Sequence, residues 1–357
     1  MPALGSGHEE RRVVRTLRLK RPVTPGKVAG ICLALGLILL LASSVSLMVG
    51  TAKVSPLDLW KSLSGALDSE SAAGLILFRV RFPRILLAGL VGFSLSLGGV
   101  VFQALLRNPL ADPFILGVSS GAAFGAILGI LLGLSFHLGV PVAAFLGALL
   151  AITVVLVLAS RKMGTESATI LLTGVIVNAF FTAVIMFFVA TATDSRLHTM
   201  LFWLYGDLSQ SRYGFMAFLG PPVMAIALVI YGLSRHLNLI TAGEDTASQL
   251  GVEVGHTKIL SLILTSILIA LVVSFSGLIG FVGLVVPHLA RMAFGSDHRV
   301  LIPAASLGGA IFLIAADTLA RVIISPSELP VGVVTAFLGA PFFLVLLSRG
   351  GSGWNRS

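Results

Sequence analysis

Ten apolar runs of about 20 residues, each nearly free of charge, limit this chain more than any other feature, because a run of that length matches a helix crossing a bilayer. They lie at about 28–50, 83–106, 114–134, 139–160, 167–190, 214–234, 257–276, 278–294, 301–320 and 331–348. In hydrocarbon every backbone N–H and C=O has to find its partner inside the protein, so runs of this kind span as helices. The expected fold is all-α, a polytopic membrane protein with about ten transmembrane helices. The closest joint is Ser276-Gly277, where two runs nearly merge. Composition excludes an ordinary soluble domain, with 56% hydrophobic and 11% charged residues over 357 positions.

The formal charge of +9 invites a nucleic-acid partner. The bases, however, gather at the ends of apolar runs instead of among aromatics on a polar surface, so membrane topology accounts for them and no nucleic acid is expected. Residues 1–27 form a basic tail carrying Arg11, Arg12, Arg15, Arg18, Lys20, Arg21 and Lys27 against Glu9 and Glu10. The run at 28–50 is too long for a signal-peptide core and reads as a retained first helix. An even number of crossings places that tail and the short tail 350–357 on one side, and most of the 24 Lys and Arg residues fall there. Both termini are therefore expected in the cytoplasm, flanking one membrane domain at 28–349.

Two polar features interrupt this pattern. The stretch 237–256 is the only long polar interruption between residues 214 and 349. Glu244 and Asp245 suit the first turn of a short helix and Gly251 its stop. Ala247 and Leu250, spaced i and i+3, need a surface to pack on, either the protein's own or that of a soluble partner. On the opposite side, Arg79, Arg81 and Arg84 crowd into six residues, with Pro83 read as a helix start. Basic residues are disfavoured there, and the cluster fits either an acidic protein partner or lipid headgroups and nearby carboxylates. Arg321 adds a base with Asp317 four residues earlier, a spacing that makes a helical ion pair.

The run interiors are almost free of ionisable groups, Asp317 being the only acid within them. This argues against an ion-coupled carrier or channel, which would use intramembrane carboxylates. Asn178, Thr173, Thr182 and Thr335 are polar groups at membrane depth, able to hydrogen-bond between helices or to line a path. Small-residue clusters at Gly121–Gly125, Gly147-Ala148 and Gly308–Ala310 suit close helix approach. Cys32 is the single cysteine, so neither an intrachain disulfide nor a multi-cysteine metal site can form. His288 is isolated and reads as a packed histidine. No catalytic motif and no phosphate loop occurs, so the chain calls for no cofactor and is not read as an enzyme; nucleotide energy would come from another chain.

The run Arg81-Phe-Pro-Arg84, continuing through Gln103–Gly121, resembles the permease subunits of bacterial ABC importers for ferric siderophores, haem and cobalamin, the FecCD/BtuC-like family. Leu250-Gly-Val252, Gly280–Arg291 with Asp297-His-Arg299, and Glu328–Pro341 fit the same family in the same order. The resemblance covers the first run to the last and leaves out residues 1 to about 25. It implies a BtuC-like ABC importer permease fold in the bacterial inner membrane, a second permease subunit, cytoplasmic ATPases and an external substrate-binding protein. By position, Arg81, Arg84 and Arg321 would be the bases that meet glutamates of the binding protein. Gly243, Glu244, Asp245, Ala247, Leu250 and Gly251 would belong to the coupling helices seated on the ATPase. The resemblance also raises Asn178 and Thr335 as path-lining residues and puts the turn 164–169 near the inner gate.

Overall fold

The computed structural model describes residues 23–349 except 53, 65–67, 69, 164–166 and 193. Most of the basic tail, the turn 164–166 and the tail 350–357 lie outside the described residues. Among the described residues there are fourteen helices and no strand. In chain order they are α1 (Pro25–Met48), α2 (Pro56–Leu63), α3 (Ala72–Leu105), α4 (Val118–Leu131), α5 (Gly139–Met163), α6 (Ser167–Thr191) and α7 (Asp194–Leu204). The chain continues with α8 (Tyr213–Gly232), α9 (Ser234–Ala242), α10 (Glu244–Gln249), α11 (Val254–Ser276), α12 (Val282–Phe294), α13 (His298–Ala320) and α14 (Val331–Arg349).

All ten apolar runs are helical. Seven of the helices are long and apolar enough to cross a membrane; α4, α12 and the apolar part of α14 are shorter. The joint at Ser276-Gly277 is a real break, since Gly277 has φ 67° and five non-helical residues precede α12. Two left-handed residues start the short helices, Gly117 (φ 76°) before α4 and Phe281 (φ 68°) before α12. At Phe281 a side chain is held in a region that normally favours glycine, an unfavourable conformation that surrounding packing has to maintain.

The expected helix start at Pro83 is corrected. The helix begins at Ala72 and passes through a π-helical turn, Ile76–Arg81, before Pro83. Pro83 has no N–H to give and its ring crowds the preceding turn; the wider turn absorbs both, with Phe82 N bonding back to Leu77 O. Arg84 therefore does not sit at the positive end of a helix.

α3 is the central helix, mostly buried, and it packs along α13 and against α11, α12 and α8. Glycine makes the closest of these contacts. A Cβ on Gly99 would overlap the Gly283 carbonyl, and one on Gly92 would overlap that of Gly309. α4 and α5 meet in the same manner through Gly121, Gly125 and Gly147. With no hydrophobic drive between helices in lipid, such contact area supplies the association. Gly99→Val is thus expected to cost at least the roughly 1–3 kcal/mol of core overpacking. Thermal unfolding in detergent checks this, and an unchanged midpoint would contradict the α3–α12 packing.

Candidate functional site

Three sites bear on function, one at each end of α13 and one cavity beside α4 and α6. At the end of the bundle where α1 and α13 finish, Arg84 reaches Asp317 of α13. Its Nε donates to both carboxylate oxygens, at 2.9 and 3.1 Å, and its Nη1 to Glu328 Oε2 at 2.6 Å. Arg321 Nε lies 3.2 Å from Asp317 Oδ2, making the helical pair that its spacing predicts. The Arg321 guanidinium also donates to Ser46 Oγ (2.6 Å), Ser46 O and Val49 O. Arg81 donates to the carbonyls of Leu47, Met48 and Ala52. Two guanidiniums thereby cap the last turn of α1, where free carbonyls and the negative end of the helix dipole favour cations.

Arg81, Arg84 and Arg321 are only 4–5% exposed. They were expected as outward-facing bases; within this chain they are buried and already bonded, so any partner has to exchange an existing bond. Arg79 is the exposed base of the group. Glu328, which completes the Arg84 site, was not singled out by sequence reasoning. It lies 244 residues away from Arg84, with no local signal to link them.

At the opposite end of α13, α9 and α10 form a hairpin around Gly243 (φ 145°), and Gly251 (φ 84°) turns the chain toward α11. Glu244 and Asp245 occupy the first turn of α10 as expected, and Glu244 pairs with Lys258 Nζ at 2.9 Å. Ala247 and Leu250 part company. Ala247 is fully buried against Ile240 and Val252, whereas Leu250 is 63% exposed. The segment therefore closes on itself through one residue and offers the other outward.

This hairpin is fastened to α13 by Asn238. Its Oδ1 accepts from His298 N (2.9 Å) and lies 2.7 Å from His298 Nδ1, while its Nδ2 donates to Asp297 Oδ1 (3.0 Å). Asp297 also caps α13 by accepting from Arg299 N, and pairs with the Arg299 guanidinium at 2.6 Å. The hydrogen bonds from Arg299 first, and then from Asn238, hold the Asp297 carboxyl well below the usual carboxylate range. Nearby, Arg291 Nη2 donates to Gln103 Oε1 at 3.0 Å, tying the ends of α12 and α3.

The third site is a cavity of about 320 Å³ at the start of α4, lined by Ser119, Ser120, Asn178, Thr182, Met186 and Leu278 among others. Asn178 is therefore where a path-lining residue would be. Thr335 is not among the lining residues; it is fully buried and its hydroxyl donates to Gly332 O at 3.0 Å, satisfied within α14. Thr173 is satisfied likewise by Thr169 O. His288 packs near Phe342 and Phe343, and no cluster of metal-ligating side chains occurs among the described residues.

A bundle of membrane-length helices with a buried charged lock at one end, a short hairpin at the other and a mostly apolar cavity between helices is a polytopic membrane protein. The FecCD transport family model matches residues 37–349, and the chain belongs to that family. It is 46% identical over 275 residues to the cobalamin import permease BtuC of Halobacterium salinarum, covering 77% of this chain and 74% of the relative. To the hemin permease HmuU of Yersinia pestis it is 39% identical over 322 residues, 89% of this chain and 96% of the relative. A solved ABC transporter assigned to the metal-chelate type, in an inward-facing conformation, superposes with a TM-score of 0.81 at 33% identity, covering 90% of this chain and 99% of the other. The protein is thus a multi-pass permease subunit of the ABC transporter class.

Proposed function

We propose that this permease imports a bulky metal chelate, a ferric siderophore first and haem or cobalamin next, across a bacterial inner membrane. A separate cytoplasmic ATPase drives it and a second permease subunit completes the path. Relatives named for cobalamin import and hemin transport, and others named for iron chelatin transport, support the substrate class. The observation that carries the reading is the α9–α10 hairpin, whose Ala247 is locked inward while Leu250 stands exposed on an element too short to fold alone. Both termini and this hairpin face the cytoplasm, in keeping with the excess of bases there. Path-lining falls to Asn178 more than to the buried Thr335.

The arginine end then faces outward and meets an acidic binding protein. Three guanidiniums against Asp317 and Glu328 leave a positive balance, reinforced by Arg79, and such complementarity guides encounter more than it adds affinity. A docking glutamate would replace the half-exposed Glu328 at Arg84. Glu328→Gln is expected to tighten binding of the cognate binding protein several-fold at low salt, measured by surface plasmon resonance; weaker or equal binding would remove Arg84 from the docking surface. The reading as a whole is tested in vesicles. Uptake should need co-reconstituted ATPase and ATP, and substrate uptake by the chain without any ATPase would establish an ion-coupled carrier or channel instead.

A further inference from the structure

α13 is held at both ends by side-chain bonds that reach other elements. Its start is fixed to α9 through Asn238, and its finish to α3 and α1 through Asp317, Thr318 and Arg321. Between the two lie 23 helical residues, about 34 Å, with Pro303 near the start as the one break in the backbone ladder. Close packing along α3, with Gly309 against Gly92, stops the helix from bending locally without disturbing its neighbour.

The bonds at Asn238 also fix its chemistry. Its amide must donate to a carboxylate, Asp297, and accept from both the backbone and the ring of His298, so neither end of the amide can be reversed. His298 Nδ1 is then the protonated nitrogen of the ring, and Nε2 is buried without a partner. The ring consequently has one available hydrogen bond, and Asn238 supplies it. The apolar contact of Ile240, Ala247 and Val252 only closes the hairpin on itself, and a hairpin merely resting on the bundle would need no more than Leu237 in the main core. Three directed bonds from one side chain to the first turn of another helix fix both distance and orientation.

We propose that Asn238 is the coupling residue of this permease, a positioning residue that joins the ATPase-facing hairpin rigidly to the start of α13, so that displacement of the hairpin carries α13 with it and reaches the arginine end. The proposal rests on the ATPase-docking reading above. A two-state element biased from both ends is what such transmission requires, and contact alone does not establish it.

The test is a charge swap. Asn238→Asp keeps the shape but sets two carboxylates face to face. Adding Asp297→Asn restores a donor opposite an acceptor but gives up the cap, because Asp297 Oδ1 takes the bonds from both Asn238 and Arg299 N; Asp297→Asn alone is the control for that loss. Hydrogen exchange is read at residues 317–323 in the assembled transporter, with and without ATP and vanadate. Wild type is expected to show a nucleotide-dependent change there. Asn238→Asp should reduce that change at least fivefold, and the double variant should recover most of it, a coupling that a simple loss of stability would not produce. A response that persists in Asn238→Asp, or a double variant that does not recover, overturns the proposal; so does an ATPase-bound wild type with no response. Should the single variant fail to assemble, the double variant has to restore both assembly and response, and its failure is equally decisive. Absence of bound ATPase on the wild-type chain would instead refute the docking reading itself.

Discussion

Asp317→Asn is expected to destabilise the chain by about 3–5 kcal/mol, the cost of leaving a buried ion pair without one partner. The carboxylate is 1% exposed and lies between two guanidiniums, Arg84 at 2.9 Å and Arg321 at 3.2 Å. Without it Arg84 keeps only Glu328, and two like charges face each other away from water. Bulk loss of packing is not the cause, because asparagine is nearly the same size. Asp317→Leu with Arg84→Leu removes the charge and its main partner together, and should recover most of the loss, since apolar replacement of a buried pair is often neutral. Thermal unfolding of the three proteins in detergent decides between these accounts; a double variant no better than the single one would show that the charges matter for something other than their mutual neutralisation.

Much of this architecture was legible because the membrane imposes a length on every crossing. The ten apolar runs became helices, and Gly277 separated the two that nearly merged. The start of α3 was hidden because Arg79 and Arg81 break the hydropathy just where the helix passes through its π turn. What makes Arg81 acceptable there is the set of carbonyls at the end of α1, 29 to 34 residues away. The arginines of this cluster were recognisable as unusual, but the burial of Arg84 follows from Asp317 and Glu328, more than 230 residues distant in the chain. Asn238 lay within the stretch that drew attention, yet its role depends on where the start of α13 comes to rest. Periodicity reports which face of an element is apolar; it does not report which distant group will meet a lone polar side chain.

The α9–α10 hairpin shows the same limit and sets the second large effect. Ala247 and Leu250 look equivalent in the sequence, one helical turn apart, and both were expected to pack on whatever covers the helix. The fold divides them, because Ile240 and Val252 close over Ala247 and leave Leu250 outside. Leu250→Asp is therefore expected to lower ATPase retention at least tenfold on co-purification without moving the unfolding midpoint of the permease. A change of that size corresponds to about 1.4 kcal/mol or more at the interface, within the range of one buried leucine side chain. Ala247→Asp should behave differently. It places a carboxylate in a closed apolar site, so the hairpin itself opens, and retention and local stability fall together. Hydrogen exchange in residues 240–252 separates the two, rising in the Ala247 variant and staying unchanged in the Leu250 variant. If Leu250→Asp retains the ATPase fully, the exposed face of α10 is not where the ATPase binds.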